Sequence, residues 1–152
     1  MSPFFKEHSY QDDELHPVDF EYPFVQDEKF CVSLLPVDRK QREKLMKQAT
    51  PQQKGFRVTP EINTSLYHKA LVKEAFAGWK GLTAKVAENL ALIKPEALST
   101  IPSEGISYDV EDAAYLLDHN ATFKLWIDEC LDQYEIWNKA EKERRAKNLP
   151  TG

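Results

Sequence analysis

From Phe123 to Trp137 the chain sets apolar residues three and four apart: Phe123, Trp126, Ile127, Cys130, Leu131, Tyr134 and Trp137. That spacing gathers side chains on one face of an α-helix and needs a second surface to cover it, so the chain must build a packed helical core. Asn120 predicts the start of the helix, because its side-chain oxygen can accept from first-turn N–H groups that have no intrahelical partner. Continued through Lys147, the helix would run about 27 residues or ~40 Å, longer than a domain of this size is wide. Its charged end is therefore expected to project. Glu135 with Lys139, Glu141 with Arg145 and Glu143 with Lys147 would support that end as i,i+4 pairs worth roughly 0.2–0.5 kcal/mol each.

Other helical signals precede it. Asp38 predicts a cap for Arg39 to Ala49, with a narrow stripe of Leu45, Met46 and Ala49, ended at Thr50-Pro51. Thr59 and Pro60 have the pairing expected at a helix start, and Ile62, Leu66, Ala70, Leu71, Val72, Ala75, Phe76 and Trp79 follow at helical spacing. Gly78-Trp79-Lys80-Gly81 reads as the end of that helix. Asp109 predicts another cap, with Asp112 as an acidic capping-box relative, for a short helix burying Val110, Ala113, Ala114 and Leu117 and ending near His119. Residues 83 to 105 are broken by Pro95, Pro102 and Gly105 and read as an irregular excursion in which only Ala84 to Ile93 has helical character.

The β signal is small. Lys29 to Leu35 puts Phe30, Val32 and Leu34 on one face and Cys31, Ser33 and Leu35 on the other, closed by Pro36. Residues 1–28 mix aromatics, acids and prolines without a period and read as an extended arm lying on the domain or a partner. The expected fold is thus mainly α: an arm over 1–28, a helical domain over 29–138 with one or two short N-terminal strands, and a charged helix end and tail over 139–152. Cys31 and Cys130 are expected to be buried free thiols. No apolar run reaches membrane length and the first residues lack a secretory pattern, so a cytoplasmic protein is expected.

The chemistry-bearing residues are sparse. A net charge of −5 opposes general nucleic-acid binding, which relies on clustered bases to neutralise phosphates. His8, His16, His68 and His119 are scattered, the five glycines form no phosphate-binding loop, and Asp12, Asp13, Glu14 and His16 read as a solvated acidic stretch. Ser65 and His68 lie one turn apart without an evident orienting acid. Asp128 and Asp132 are like charges at i,i+4, which reads first as an exposed acidic face and second as a pair waiting for a basic partner. The expectation is a non-enzymatic protein-binding chain with no catalytic residue, cofactor or metal.

One combination is more specific. Ala75-Phe76-Ala77-Gly78-Trp79-Lys80-Gly81-Leu82, then Ile106-Ser107-Tyr108-Asp109-Val110-Glu111-Asp112, then Leu116-Leu117 and Phe123, resembles the lambda-type tail assembly chaperones of long-tailed bacteriophages over roughly residues 30 to 138. The link between Leu82 and Tyr108 is longer here than in that pattern. The resemblance implies a virion-assembly factor in the host cytoplasm that binds tape-measure or tail-tube subunits and leaves the finished particle. Homo-oligomers are compatible with it. Trp79, Gly81, Leu82, Trp126, Tyr134 and Trp137 are the candidate partner-binding residues, although core packing is the plainer role for Trp79 and Trp126. A structural virion connector and a small regulatory adaptor are the alternatives.

Overall fold

The computed structural model describes residues 3–10, 15–50 and 63–147. The fold is mainly α, with a small sheet set among the helices. The elements run α1 (Phe4–His8), β1 (Val18–Glu21), β2 (Cys31–Leu34), α2 (Arg39–Gln48), α3 (Thr64–Ala75), β3 (Phe76–Lys80), α4 (Ala84–Leu90), α5 (Pro95–Leu98), α6 (Val110–His119), α7 (Ala121–Leu131) and α8 (Tyr134–Lys147).

β2 is the central strand of an antiparallel sheet ordered β1-β2-β3. Val18 faces Leu34 and Phe20 faces Val32 on one side, while Val32 faces Trp79 on the other. The period-2 alternation expected of this segment is met: Phe30, Val32 and Leu34 are fully buried in the main core. On the opposite face Asp19 accepts a hydrogen bond from Ser33 and pairs with Lys80 at 2.9 Å, tying all three strands together. The core joins this sheet to α3, α6 and α7 through Leu71, Val72, Leu117, Phe123, Ile127 and Leu131.

Side-chain caps start the helices where short polar residues stand. Asp38 and Gln41 form a reciprocal capping box on α2, Asp109 accepts from Glu111 N at 2.7 Å, and Asn120 accepts from Phe123 N at 2.9 Å. α3 is capped by Asn63, which accepts from Leu66 N at 3.0 Å; Thr59, Pro60 and Ile62 lie outside the described residues. Cys31 and Cys130 are free and buried.

Four expectations are corrected. The arm is not wholly extended, since it contains α1 and supplies β1 to the sheet. The helix through Trp79 stops at Ala75, and Phe76–Lys80 is a strand, because pairing with β2 satisfies its backbone groups and outweighs a locally helical spacing. The helical character expected from Ala84 is met by α4, but the remainder of the excursion over 83–105 is not wholly irregular, since it contains the short helix α5. The final helix breaks at Asp132–Gln133, where the N–H groups of Asp132 and Gln133 turn back onto the carbonyls of Glu129 and Cys130 at 3.2 Å. The break returns the charged end to the body. Trp137 is buried against Phe20 with ring centroids 5.2 Å apart, and Glu141 is buried between Arg144 and His16.

Candidate docking site

Two glycines fix where the excursion leaves and rejoins the body. Gly81 has a φ of 81°, and a Cβ there would stand 2.1 Å from the Lys29 carbonyl oxygen. Gly105 has a φ of 100°, and its Cβ would meet the Leu82 backbone at 2.7 Å. The close approach of Gly105 to Leu82 lets Ile106 N donate to Leu82 O at 2.8 Å, closing residues 83–105 into a lobe with a narrow base. Trp79 adds a second stitch: its indole N–H donates to Ile106 O at 2.9 Å, and its ring meets Tyr108 edge-on at 5.0 Å. The segment around the Trp-Gly turn and the segment around Tyr108, far apart along the chain, are therefore in contact.

Above this base lies an apolar cleft of about 360 Å³. Leu82, Ile106 and Leu116 line it from the body, and Ala87, Leu90, Leu92, Ile93 and Ala97 line it from the lobe. A second hollow continues from it past Ile93, Ala97 and Ile106 toward Glu104. The polar positions in the first compartment are few. Asp112 and Lys94 are its charged residues, and neither forms an ion pair among the described residues. Partial burial against the lining, and then the Asp109 charge, raise the Asp112 carboxyl above its ordinary value. Tyr115 stands at the rim, stacked on His119 with centroids 4.0 Å apart. Leu92 is fully exposed. A concave apolar surface with a few oriented charges is the form that receives a partner's side chains.

The sequence-derived candidates divide between base and core. Leu82 lines the cleft, while Trp79 and Gly81 hold its base in place. Trp126 and Trp137 are buried, Trp126 in an aromatic cluster with Tyr22 and Phe123, and Tyr134 is exposed at the start of α8. The structure brings Trp79, Gly81 and Leu82 together as a local turn and leaves the other three elsewhere. Asp112, Tyr115 and Leu92 were missed as site residues. Their signal was faint: an acid and an aromatic one turn apart on α6, and a leucine in a stretch with no period.

Two polar groups noted in the sequence have structural roles. Asp118 is the acid near Ser65 and His68: it accepts from Ser65 Oγ at 3.0 Å and from His68 Nδ1 at 2.6 Å, pinning α3 to α6. The hydroxyl thus donates to the carboxylate, and His68 Nε2 is buried with no hydrogen-bond partner among the described residues, so this histidine is not placed to take a proton from Ser65. Asp128 and Asp132 do meet a base, from within the chain. Arg42 is buried, lies 3.5 Å from the Asp128 carboxylate, bonds Asp132, and donates to the Asp128 carbonyl at 3.4 Å, joining α2 to α7. Among the described residues no group of three or more His, Cys, Asp or Glu is arranged to hold a metal, and no helix is long and apolar enough to cross a membrane.

No family model, curated protein or solved structure matches the chain.

Proposed function

We propose that this chain is a non-enzymatic assembly factor of long-tailed bacteriophages, acting in the host cytoplasm and holding tape-measure or tail-tube subunits until the tail polymerises. The observation that supports it most directly is the contact between the two halves of the tail-chaperone-like pattern. Trp79 and Ile106 join them, and Leu82, Ile106, Asp112 and Leu116 from those halves line one apolar cleft. The longer link between the halves, which departs from the pattern, is closed off as a lobe that forms the cleft's other wall. In this reading the cleft takes an amphipathic helix of the subunit, with apolar anchors against Leu90 and Leu116 and polar groups toward the rim.

The test is co-expression of the chain with the tape-measure and tube proteins from the same genome. A soluble complex is expected, and the Leu92→Asp variant should lose it while remaining folded, because Leu92 is exposed. Failure of the unaltered chain to capture either subunit would count against the tail role. Stoichiometric copies of the chain in purified particles would replace the chaperone with a structural connector.

A further inference from the structure

The cleft has a chemical counterpart on the chain itself. Helix α1 carries Phe4 and Phe5, 69% and 82% exposed and in edge-on contact at 5.7 Å, followed by Lys6 and Glu7. Two exposed aromatic rings on one short helix expose apolar surface that association would cover. Apolar cavities of roughly 150 Å³ accept one benzene ring, so a cleft of about 360 Å³ has room for two phenyl rings. The charges match as well. The cleft offers an acid, Asp112, and a base, Lys94, while α1 offers a base, Lys6, and an acid, Glu7, and none of the four has an ion-pair partner among the described residues. The Asp112 carboxyl, raised by partial burial and by Asp109, is a group that a neighbouring cation would relieve.

We infer that the Phe4–Glu7 segment of one copy docks in the α4–α5–α6 cleft of a second copy, with the two phenyl rings inside, Lys6 facing Asp112 and Glu7 facing Lys94. The inference builds on the reading of the cleft as a docking site and names a further occupant for it. Each copy offers both the segment and the cleft, so reciprocal exchange closes a two-fold dimer. The root of the arm is held elsewhere on its own chain: Tyr10 lies under the Arg145 guanidinium at 4.8 Å, and His16 contacts Glu141 at 3.4 Å. The dimer is weak. Two phenylalanines at about 150–250 Å² each put at most about 300–500 Å² of arm into each cleft, below the ~800 Å² per partner of a standard interface. A subunit helix entering the same cleft displaces the arm.

Sedimentation velocity on the full chain between about 1 and 500 µM tests this. A reversible monomer–dimer equilibrium in the micromolar range is expected. Phe4→Ser with Phe5→Ser, or Leu92→Asp, should weaken it at least tenfold. Lys6→Glu and Asp112→Lys should each weaken it several-fold, and their combination should restore it. An equimolar mixture of the Phe4/Phe5 variant and the Leu92 variant should form heterodimers, because one intact arm meets one intact cleft. A chain that stays monomeric throughout overturns the inference, and so does a dimer that tolerates both the arm and the cleft substitutions. Subunit capture is scored separately with the Phe4/Phe5 variant, whose cleft is intact. Capture without dimerisation removes only this inference, and dimerisation without capture by the unaltered chain removes only the tail role.

Discussion

The Trp79 indole N–H donates to the Ile106 carbonyl oxygen at 2.9 Å across the base of the lobe. Replacing Trp79 with Phe keeps an aromatic ring against Tyr108 but leaves that carbonyl without its donor. A loss of about 1–3 kcal/mol is expected, the cost of an unsatisfied polar group together with some lost packing. Urea denaturation reads the total, and hydrogen exchange should rise chiefly between residues 83 and 105.

Gly81→Ala should cost more than an ordinary surface change. The new methyl would stand 2.1 Å from the Lys29 carbonyl at a φ of 81°, so the backbone must move as well as accept a strained conformation. Strain alone costs roughly 1–3 kcal/mol. A lowered melting temperature together with lost capture at the cleft is the expected pair of readouts; an unchanged melting temperature would contradict the close approach.

Arg42→Met removes the cation shared by Asp128 and Asp132 and leaves like charges one turn apart. Breaking a fully buried pair costs about 3–5 kcal/mol. Both carboxylates here are partly exposed to water, so about 2 kcal/mol is expected in chemical denaturation. Asp132→Asn in the same chain should recover part of it, since one of the repelling charges is gone.

Glu141 makes the seat of α8 sensitive to acid. Burial works to raise its carboxyl, but hydrogen bonding to Arg144, the Arg144 charge and His16 outweigh burial and hold it below the ordinary glutamate value. A depressed folded-state value stabilises the docked helix above the unfolded value, and that contribution disappears as pH falls through the folded one. Trp137 fluorescence should therefore report α8 loosening below the usual glutamate range. Glu141→Gln should flatten this transition.

Cys130 should be inert. Desolvation, and then the Glu129 charge, push its thiol up to about 12, so almost no thiolate exists near neutral pH. Ellman's reagent at pH 8 should leave Cys130 unlabelled in the native chain and label it once denaturant is added. Fast native labelling would place it nearer the surface than the described core.

What could be read from the residues was local. Asp38, Asp109 and Asn120 cap helices because the capping group and the N–H it receives lie within three residues, and the Phe30–Val32–Leu34 alternation is likewise short-range. What escaped depended on distant partners. Phe76–Trp79 kept helical spacing, yet β2 lay far away in sequence to claim those backbone groups. The break at Asp132–Gln133 accompanies the Arg42 contacts and the placing of Trp137 on Phe20, neither visible within the local window. Leu82 was recognised as a site residue because it belongs to a compact turn. Asp112 and Leu92 become neighbours in the cleft only after the lobe folds over.

The lobe over residues 83–105 begins and ends at one hydrogen-bonded crossing, Leu82 with Ile106. The entropic cost of closing a loop grows only with the logarithm of its length. Val86 and Leu90 of α4 belong to the core, but residues 91–104 do not, so lengthening, shortening or exchanging 91–104 would leave the supporting body almost undisturbed while rebuilding the outer wall of the recess. The architecture behaves as a replaceable cassette: one frame can carry recesses of different shape.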